Sequence, residues 1–302
     1  MSSQLITIFG GTGFLGNVLA RELVDAGQRV RIAVRNPVLP GWVEDDDRIE
    51  LVSADITDAT SINAAIVGAD SVVNAVSRYV ASPELSVEAI HVDGAGQLAR
   101  LVHQTGIEKL VHISGIGATI DSPSAYVCVR ARGEDAVLDA MPRATIVRCS
   151  VLFGPGDSFL ATLASLTRLP VIPLFGDGET RLQPVHVVDV ARALIRLLGE
   201  PVTKRRFFEL GGPDIMTYRD ILSLVLAHYQ VERPMVAVPF LAWRTLAAMI
   251  SWLPSPPLTR DQVILMQSEN RVDDRMGTFN DLGIRPRALR DSLLECLAPS
   301  KP

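Results

Sequence analysis

Two hydrophobic rhythms alternate through the first half of the chain. Short runs at 5–9, 29–34, 49–53, 71–75, 109–113 and 144–148 read as strands, and the first of them, apolar and β-branched, has the pattern of a buried parallel strand. Between them, apolar residues recur every three or four positions at 17–26, in a stretch ending at 67, and at 84–105 and 125–140. That is the spacing of helices that pack one side on a core. Gly27 stops the first helix, and Thr57 or Asp58 can cap the second. Strands in alternation with helices predict an α/β fold built on a doubly wound parallel sheet.

The rhythm changes after Val151. Phe153-Gly154-Pro155-Gly156-Asp157 is a turn, followed by a short helix at 158–166. Residues 170–184 are punctuated by proline and glycine and show no period. A helix at 188–198, which Asp189 can begin as an N-cap, precedes a strand at 207–210 and a helix at 218–229. Residues 240–253 (FLAWRTLAAMISWL) are apolar nearly all round. They are expected as a core helix, with a sticky face for a membrane surface or a protein complex as the alternative. Pro254, Pro256 and Pro257 break the chain, Thr259 with Gln262 forms a capping box, and 289–297 is the last helix. This half predicts a small α+β C-terminal lobe. The expected division is a nucleotide-binding domain at 1–153, completed by about 185–211, and a lobe for substrate or partner at 154–184 and 212–302.

The first strand runs straight into Gly10, Gly11, Gly13 and Gly16, and the first helix follows. Strand, glycine turn and helix together form the context of a dinucleotide fingerprint, here spaced G-x-x-G-x-x-G. The turn and the helix N-terminus would hold a pyrophosphate through Gly10, Gly11, Thr12, Gly13, Phe14 and Leu15. The fold is thereby read as Rossmann-type. At the end of the second strand, where an NAD site usually has a carboxylate, the chain has Val34 followed by Arg35. A guanidinium there suits a 2′-phosphate, so NADP(H) is favoured over NAD(H).

Composition narrows the function. The chain has 302 residues, 48% of them hydrophobic and 21% charged, with a net charge of −5 and no basic stripe; no nucleic-acid partner is expected. Cys128, Cys149 and Cys296 are far apart and form no C-x-x-C pair, which fits buried thiols in a reducing cytoplasm. No leader is expected ahead of the first strand. No run of 18 apolar residues exists, so no transmembrane segment is expected. His103, His112, His186 and His228 lack ligand spacing, and no metal site is expected.

Ligands of doubly wound sheets sit beyond the carboxyl ends of the strands. Asp55 and Ile56 end the third strand, where an aspartate can meet an adenine amino group or cap a helix. Asn74, Ala75 and Val76 end the fourth, and Ser114 ends the fifth. Tyr126 and Arg130, four apart, share a helix face. A phenol is a weak base at neutral pH, and an adjacent cation stabilises the phenolate as a proton carrier. Cys128, on the same helix, is expected to be buried packing.

On these residues the chain resembles short-chain dehydrogenases/reductases of the extended or atypical branch, of the NAD-dependent epimerase/dehydratase kind. The resemblance continues through Ala131-Arg132-Gly133-Glu134, Phe153-Gly154-Pro155, 173–178, 184–191 and 209–213. Through 257–262 the chain resembles one subgroup, the NADPH-binding accessory subunit of respiratory complex I and its bacterial relatives. The resemblance implies an NADP(H) site, with Tyr126, Ser114 and Arg130 as the catalytic group, and Tyr126 and Arg130 also touching the cofactor. It implies an oxidoreductase or epimerase acting at an alcohol or ketone carbon of a small molecule. The alternative is a nucleotide-loaded scaffold or redox sensor within a complex, so a cytoplasmic protein peripheral to the inner membrane. Family enzymes carry Tyr-x-x-x-Lys, where this chain has Arg130. They often carry an asparagine where it has His91, and Arg-Pro where it has Arg148-Cys149.

Overall fold

The computed structural model describes residues 3–43, 46–78, 86–199, 205–253 and 258–297. The helix start expected at Glu84, the acidic Glu44 and Asp45, and the prolines 254, 256 and 257 lie outside them. Strand β1 (Leu5–Phe9) is buried along its whole length and leads into helix α1 (Phe14–Asp25). There follow β2 (Arg29–Val34), β3 (Ile49–Ser53), α2 (Ala59–Ile66) and β4 (Ser71–Asn74). Asp58 caps α2 through the N–H groups of Thr60 and Ser61. A π-helical stretch, Ala89–Gly94, merges into α3 (Ala95–Gln104), followed by β5 (Lys109–Gly115), α4 (Ala125–Ala140) and β6 (Thr145–Cys149).

The second half holds β7 (Leu152–Phe153), α5 (Ser158–Leu166), β8 (Ile172–Phe175), β9 (Arg181–Leu182), β10 (Val185–His186), α6 (Val187–Gly199) and β11 (Phe207–Leu210). After these come β12 (Met216–Thr217), α7 (Tyr218–His228), β13 (Met235–Val238), α8 (Phe240–Ile250), α9 (Arg260–Leu265) and α10 (Leu289–Cys296).

Seven strands pair in the order β11-β6-β5-β4-β1-β2-β3, every pair parallel. The winding direction reverses between β1 and β4, where Phe9 lies opposite Asn74. One face is covered by α1 and α6 over Ile6, Ile8, Leu19, Leu23, Ile32 and Leu194. On the other, Phe9, Ile62, Ile66, Leu98, Val102 and Val137 form a second core. A parallel sheet with both faces buried explains why its inner strands are mostly apolar, while the edge strand β3 has no fully buried residue. A third core, including Phe153, Leu160, Leu174, Tyr218, Ile221 and Leu293, lies under α5, α7 and α10.

Four expectations need correction. The helix expected at 84–105 is not uniform, because the π stretch interrupts it. There α4 presses close: a Cβ on Gly133 would lie 2.1 Å from the His91 carbonyl oxygen. Residues 170–184 hold β8 and β9, which pair with β13 and β12. Strands of two to four residues are too short to display a period. Asp189 does not cap α6. It is buried in the first turn, accepting the Arg287 N–H at 2.7 Å and lying 3.2 Å from Arg287 Nε. Finally, α8 is not core, since Ala247 alone of its residues is buried.

Candidate functional site

The glycine turn sits at the point where the sheet reverses direction. Gly10 adopts φ +81°, and a Cβ there would lie 2.8 Å from the Ala75 carbonyl oxygen. Only glycine fits both the left-handed backbone and that close approach. At Gly16 a Cβ would fall 2.2 Å from the Gly10 carbonyl oxygen, so the helix packs directly on the turn. The first helical hydrogen bond of α1 runs from Asn17 N–H to the Gly13 carbonyl, and no side chain caps the end. Among the described residues, no acceptor of the chain meets the N–H groups of Phe14 and Leu15. Exposed Thr12 and Gly13, with this uncapped positive end, present a surface whose polarity suits a phosphate group.

Around that surface the expected residues divide. Arg35 projects exposed from the end of β2, with no side-chain partner among the described residues. Asp55 spends one oxygen on Thr57, accepting its N–H at 2.9 Å and its hydroxyl at 2.7 Å, while Ile56 is buried beside it. Asn74 is spent internally: its amide nitrogen lies 3.1 Å from His112 Nδ1, and its oxygen accepts the Val76 N–H at 3.2 Å. What this strand end offers a ligand is therefore the rim of Ala75 and Val76, both half-buried.

Ser124 caps α4, which brings Tyr126 and Arg130 to the carboxyl end of β5. Arg130 Nη1 donates to Tyr126 Oη at 2.8 Å, and Nη2 donates to the Ile113 carbonyl at 3.3 Å. A Cβ on Gly115 would lie 3.6 Å from the guanidinium carbon, so the cation rests on the strand end. Tyr126 Oη is also 3.4 Å from Ser77 Oγ, and the ring is edge-on to His91 at 5.8 Å between centroids. Ser114 is buried, and among the described residues its hydroxyl has no hydrogen-bond partner. Cys128 is half-buried rather than buried, its thiol donating to the Ser122 carbonyl at 2.9 Å.

Two neutral histidines surround this cation. Burial, reinforced by Arg130, holds His112 down at about 3 and His91 at about 4. Both values lie below that of an unfolded histidine, so the unfolded chain takes up protons first as pH falls. Stability is then fully present above about pH 6.5 and lost on acidification. Urea unfolding between about pH 7 and 5 is expected to show this loss, at up to about 1.4 kcal/mol per pH unit for each histidine. His112→Asn is expected to flatten the profile. An unchanged slope in that variant would refute the assignment.

Sequence reasoning missed the ion cluster behind the site. Glu134, two turns after Tyr126 on α4, is buried with Glu209 of β11. Arg148 of β6 lies between them, with Nη2 2.6 Å from Glu134 Oε2 and Nη1 3.4 Å from Glu209 Oε1. The other Glu209 oxygen accepts the Asp273 N–H at 2.9 Å. The available signal was a charged residue inside each of two otherwise apolar strand runs, Arg148 and Glu209, whereas Glu134 stands among other charged residues of α4. A second cluster joins His186, Glu295 and Cys296. There His186 Nδ1 accepts the Val188 N–H at 3.2 Å, which leaves the hydrogen on Nε2, 3.0 Å from Glu295 Oε1.

An uncapped helix N-terminus at the reversal point of a parallel sheet, with a tyrosine–arginine pair at the carboxyl end of β5, fits a doubly wound α/β protein of the dinucleotide-binding class. Residues 6–211 match the NAD dependent epimerase/dehydratase family, and the chain belongs to that family. The "NADH dehydrogenase [ubiquinone] 1 alpha subcomplex subunit 9, mitochondrial" of Arabidopsis thaliana is 30% identical over 313 residues, covering 98% of this chain and 78% of that protein. The "Ceramide reductase" of Caulobacter vibrioides is 32% identical over 200 residues, covering 66% of this chain and 62% of that protein. Among solved structures, the Bordetella bronchiseptica enzyme WbmG in complex with NAD and UDP superposes with a TM-score of 0.72 at 17% identity. That match covers 97% of this chain and 93% of that one, and it speaks for the fold.

Proposed function

We propose that the chain is an NADP(H)-binding oxidoreductase or epimerase acting at an alcohol or ketone carbon of a small molecule. The observation that carries this reading is the 2.8 Å hydrogen bond from Arg130 Nη1 to Tyr126 Oη, made at the end of the strand that carries Ser114. Residues 1–153 with 185–211 hold the nucleotide, and 154–184 with 212–302 form the lobe over it. Gly10, Gly11, Thr12, Gly13 and the N–H groups of Phe14 and Leu15 would hold the pyrophosphate. Asp55 and Ile56 would border the adenine, and Ala75 and Val76 the ribose. When bound, the nicotinamide supplies or accepts a hydride. Tyr126 carries the proton of the substrate oxygen, Ser114 orients that oxygen, and Arg130 favours the phenolate. Three free thiols suit a reducing compartment, here the cytoplasm.

Cofactor choice follows from Arg35. A charge-assisted contact to a phosphate contributes about 1.5–3 kcal/mol, so NADPH is expected to bind about tenfold or more tightly than NADH. Calorimetric titration of both nucleotides checks this. Equal affinities, or an Arg35→Ala variant that binds NADPH as well as the parent, would refute it.

A second reading is a catalytically silent, nucleotide-loaded subunit of a larger complex. It is supported by the match of almost the whole chain to a protein named as a subunit of mitochondrial NADH dehydrogenase. Turnover of wild type and Tyr126→Phe separates the two readings.

A further inference from the structure

Helix α8 lies on the surface of the lobe with its apolar side outward. Leu241 is 74% exposed, Met249 68% and Trp252, in the turn that follows, 80%. With Thr245 and Ala248 they stand at i, i+4, i+7, i+8 and i+11, one continuous stripe. The opposite side holds the helix down. There Ala247 is buried, and half-buried Trp243 donates its ring N–H to the Leu174 carbonyl at 2.9 Å and stacks on Phe175. The preceding strand, β13, adds Val236, which is 49% exposed. Charge singles out this region further. In a chain of net charge −5, residues 233–260 contain Arg233, Arg244 and Arg260 and no acidic residue. All three arginines are exposed, and Arg244 lies at the edge of the stripe. Asp261, the next acid, is turned inward onto Ser124 Oγ at 2.5 Å.

We propose that this face docks on an anionic lipid bilayer surface. An apolar stripe bordered by arginine and ending in an exposed tryptophan is the chemistry of a helix lying in the interface plane. Its leucine and methionine enter the acyl boundary, its indole sits at headgroup level, and its cations meet lipid phosphates. The helix lies on the membrane without crossing it, and among the described residues no helix is long and apolar enough to span. Docking involves none of the residues assigned to the nucleotide, so it stands apart from the catalytic reading. Because α9 carries Asp261 to the cap of α4, the docked lobe sits next to the end of α4 that bears Tyr126.

The test is co-sedimentation of the full chain with phosphatidylcholine vesicles, with and without roughly one third phosphatidylglycerol. Binding is expected on the anionic vesicles, weakened by salt, with a blue shift of tryptophan emission that Trp252→Phe removes. The triple variant Leu241→Ser, Met249→Ser, Trp252→Ser is expected to lose roughly tenfold or more of the partitioning. Its thermal midpoint should stay that of the parent, because all three side chains are already exposed. Absence of sedimentation overturns the proposal. So does equal binding to neutral and anionic vesicles, or by parent and triple variant. Self-association through this face without vesicle binding would make the occupant another copy of the chain and equally overturn it.

Discussion

Tyr126→Phe is expected to lower carbonyl-dependent NADPH oxidation by about 10²–10⁴-fold, the usual contribution of a positioned proton donor. Nucleotide affinity should hardly change. The substitution removes one hydroxyl and leaves the ring in its edge-on contact with His91. Arg130 loses one acceptor but keeps the Ile113 carbonyl, so α4 stays seated. The parent rate itself is expected to be low. A guanidinium spread between Tyr126 and Ile113 is fixed as a planar fork, where a lysine would present a compact, mobile ammonium. Arg130→Lys is therefore expected to raise turnover, and Tyr126→Phe in that background to return it to the floor. Steady-state rates over a carbonyl panel check both. Turnover that survives Tyr126→Phe would show that the phenol is not the proton carrier. Tight NADPH binding without turnover in the parent and in Arg130→Lys would favour the silent subunit.

Legibility in the sequence followed the length and repetition of each signal. Strands β1, β2, β4, β5 and β6 were readable because they lie inside a parallel sheet buried on both faces, which leaves mostly apolar runs; β3, at the sheet edge, has no fully buried residue. The glycine turn was readable because its requirement is local: a left-handed φ at Gly10 and a Cβ-free contact at Gly16. That Tyr126 and Arg130 share a helix face was readable from their spacing, but only the glycine motif upstream made them candidates for a site. Short pairs such as β9 with β12 depend on partners more than thirty residues away and leave no local mark. Asn74 illustrates another limit. Its position at a strand end was visible, but its side-chain bonds to His112 and Val76 were not. Helix α8 misled because apolarity was equated with burial. The structure buries only Ala247, which turns a presumed core segment into a surface one.

The costliest single change outside the reaction centre is expected at Arg148. Its side chain is 16% exposed, against 3% and 5% for Glu134 and Glu209. Arg148→Ala would leave two buried carboxylates without their counter-ion, a loss worth about 3–5 kcal/mol where a buried pair is broken from one side. The effect should exceed stability alone, because each carboxylate anchors a different part of the site. Glu134 sits on α4 two turns from Tyr126, and Glu209 holds the Asp273 N–H of the chain running past β11. Urea unfolding is expected to show the destabilisation. Arg148→Met combined with Glu134→Gln and Glu209→Gln is expected to recover much of it, since no uncompensated charge then remains buried. Arg148→Lys should recover less, because one ammonium cannot reproduce the contact of Nε and Nη2 with Glu134 while also reaching Glu209. If Arg148→Ala costs less than about 1 kcal/mol, the cluster is not a structural anchor and the ordering of α4 must rest on its apolar contacts with α3 and the sheet.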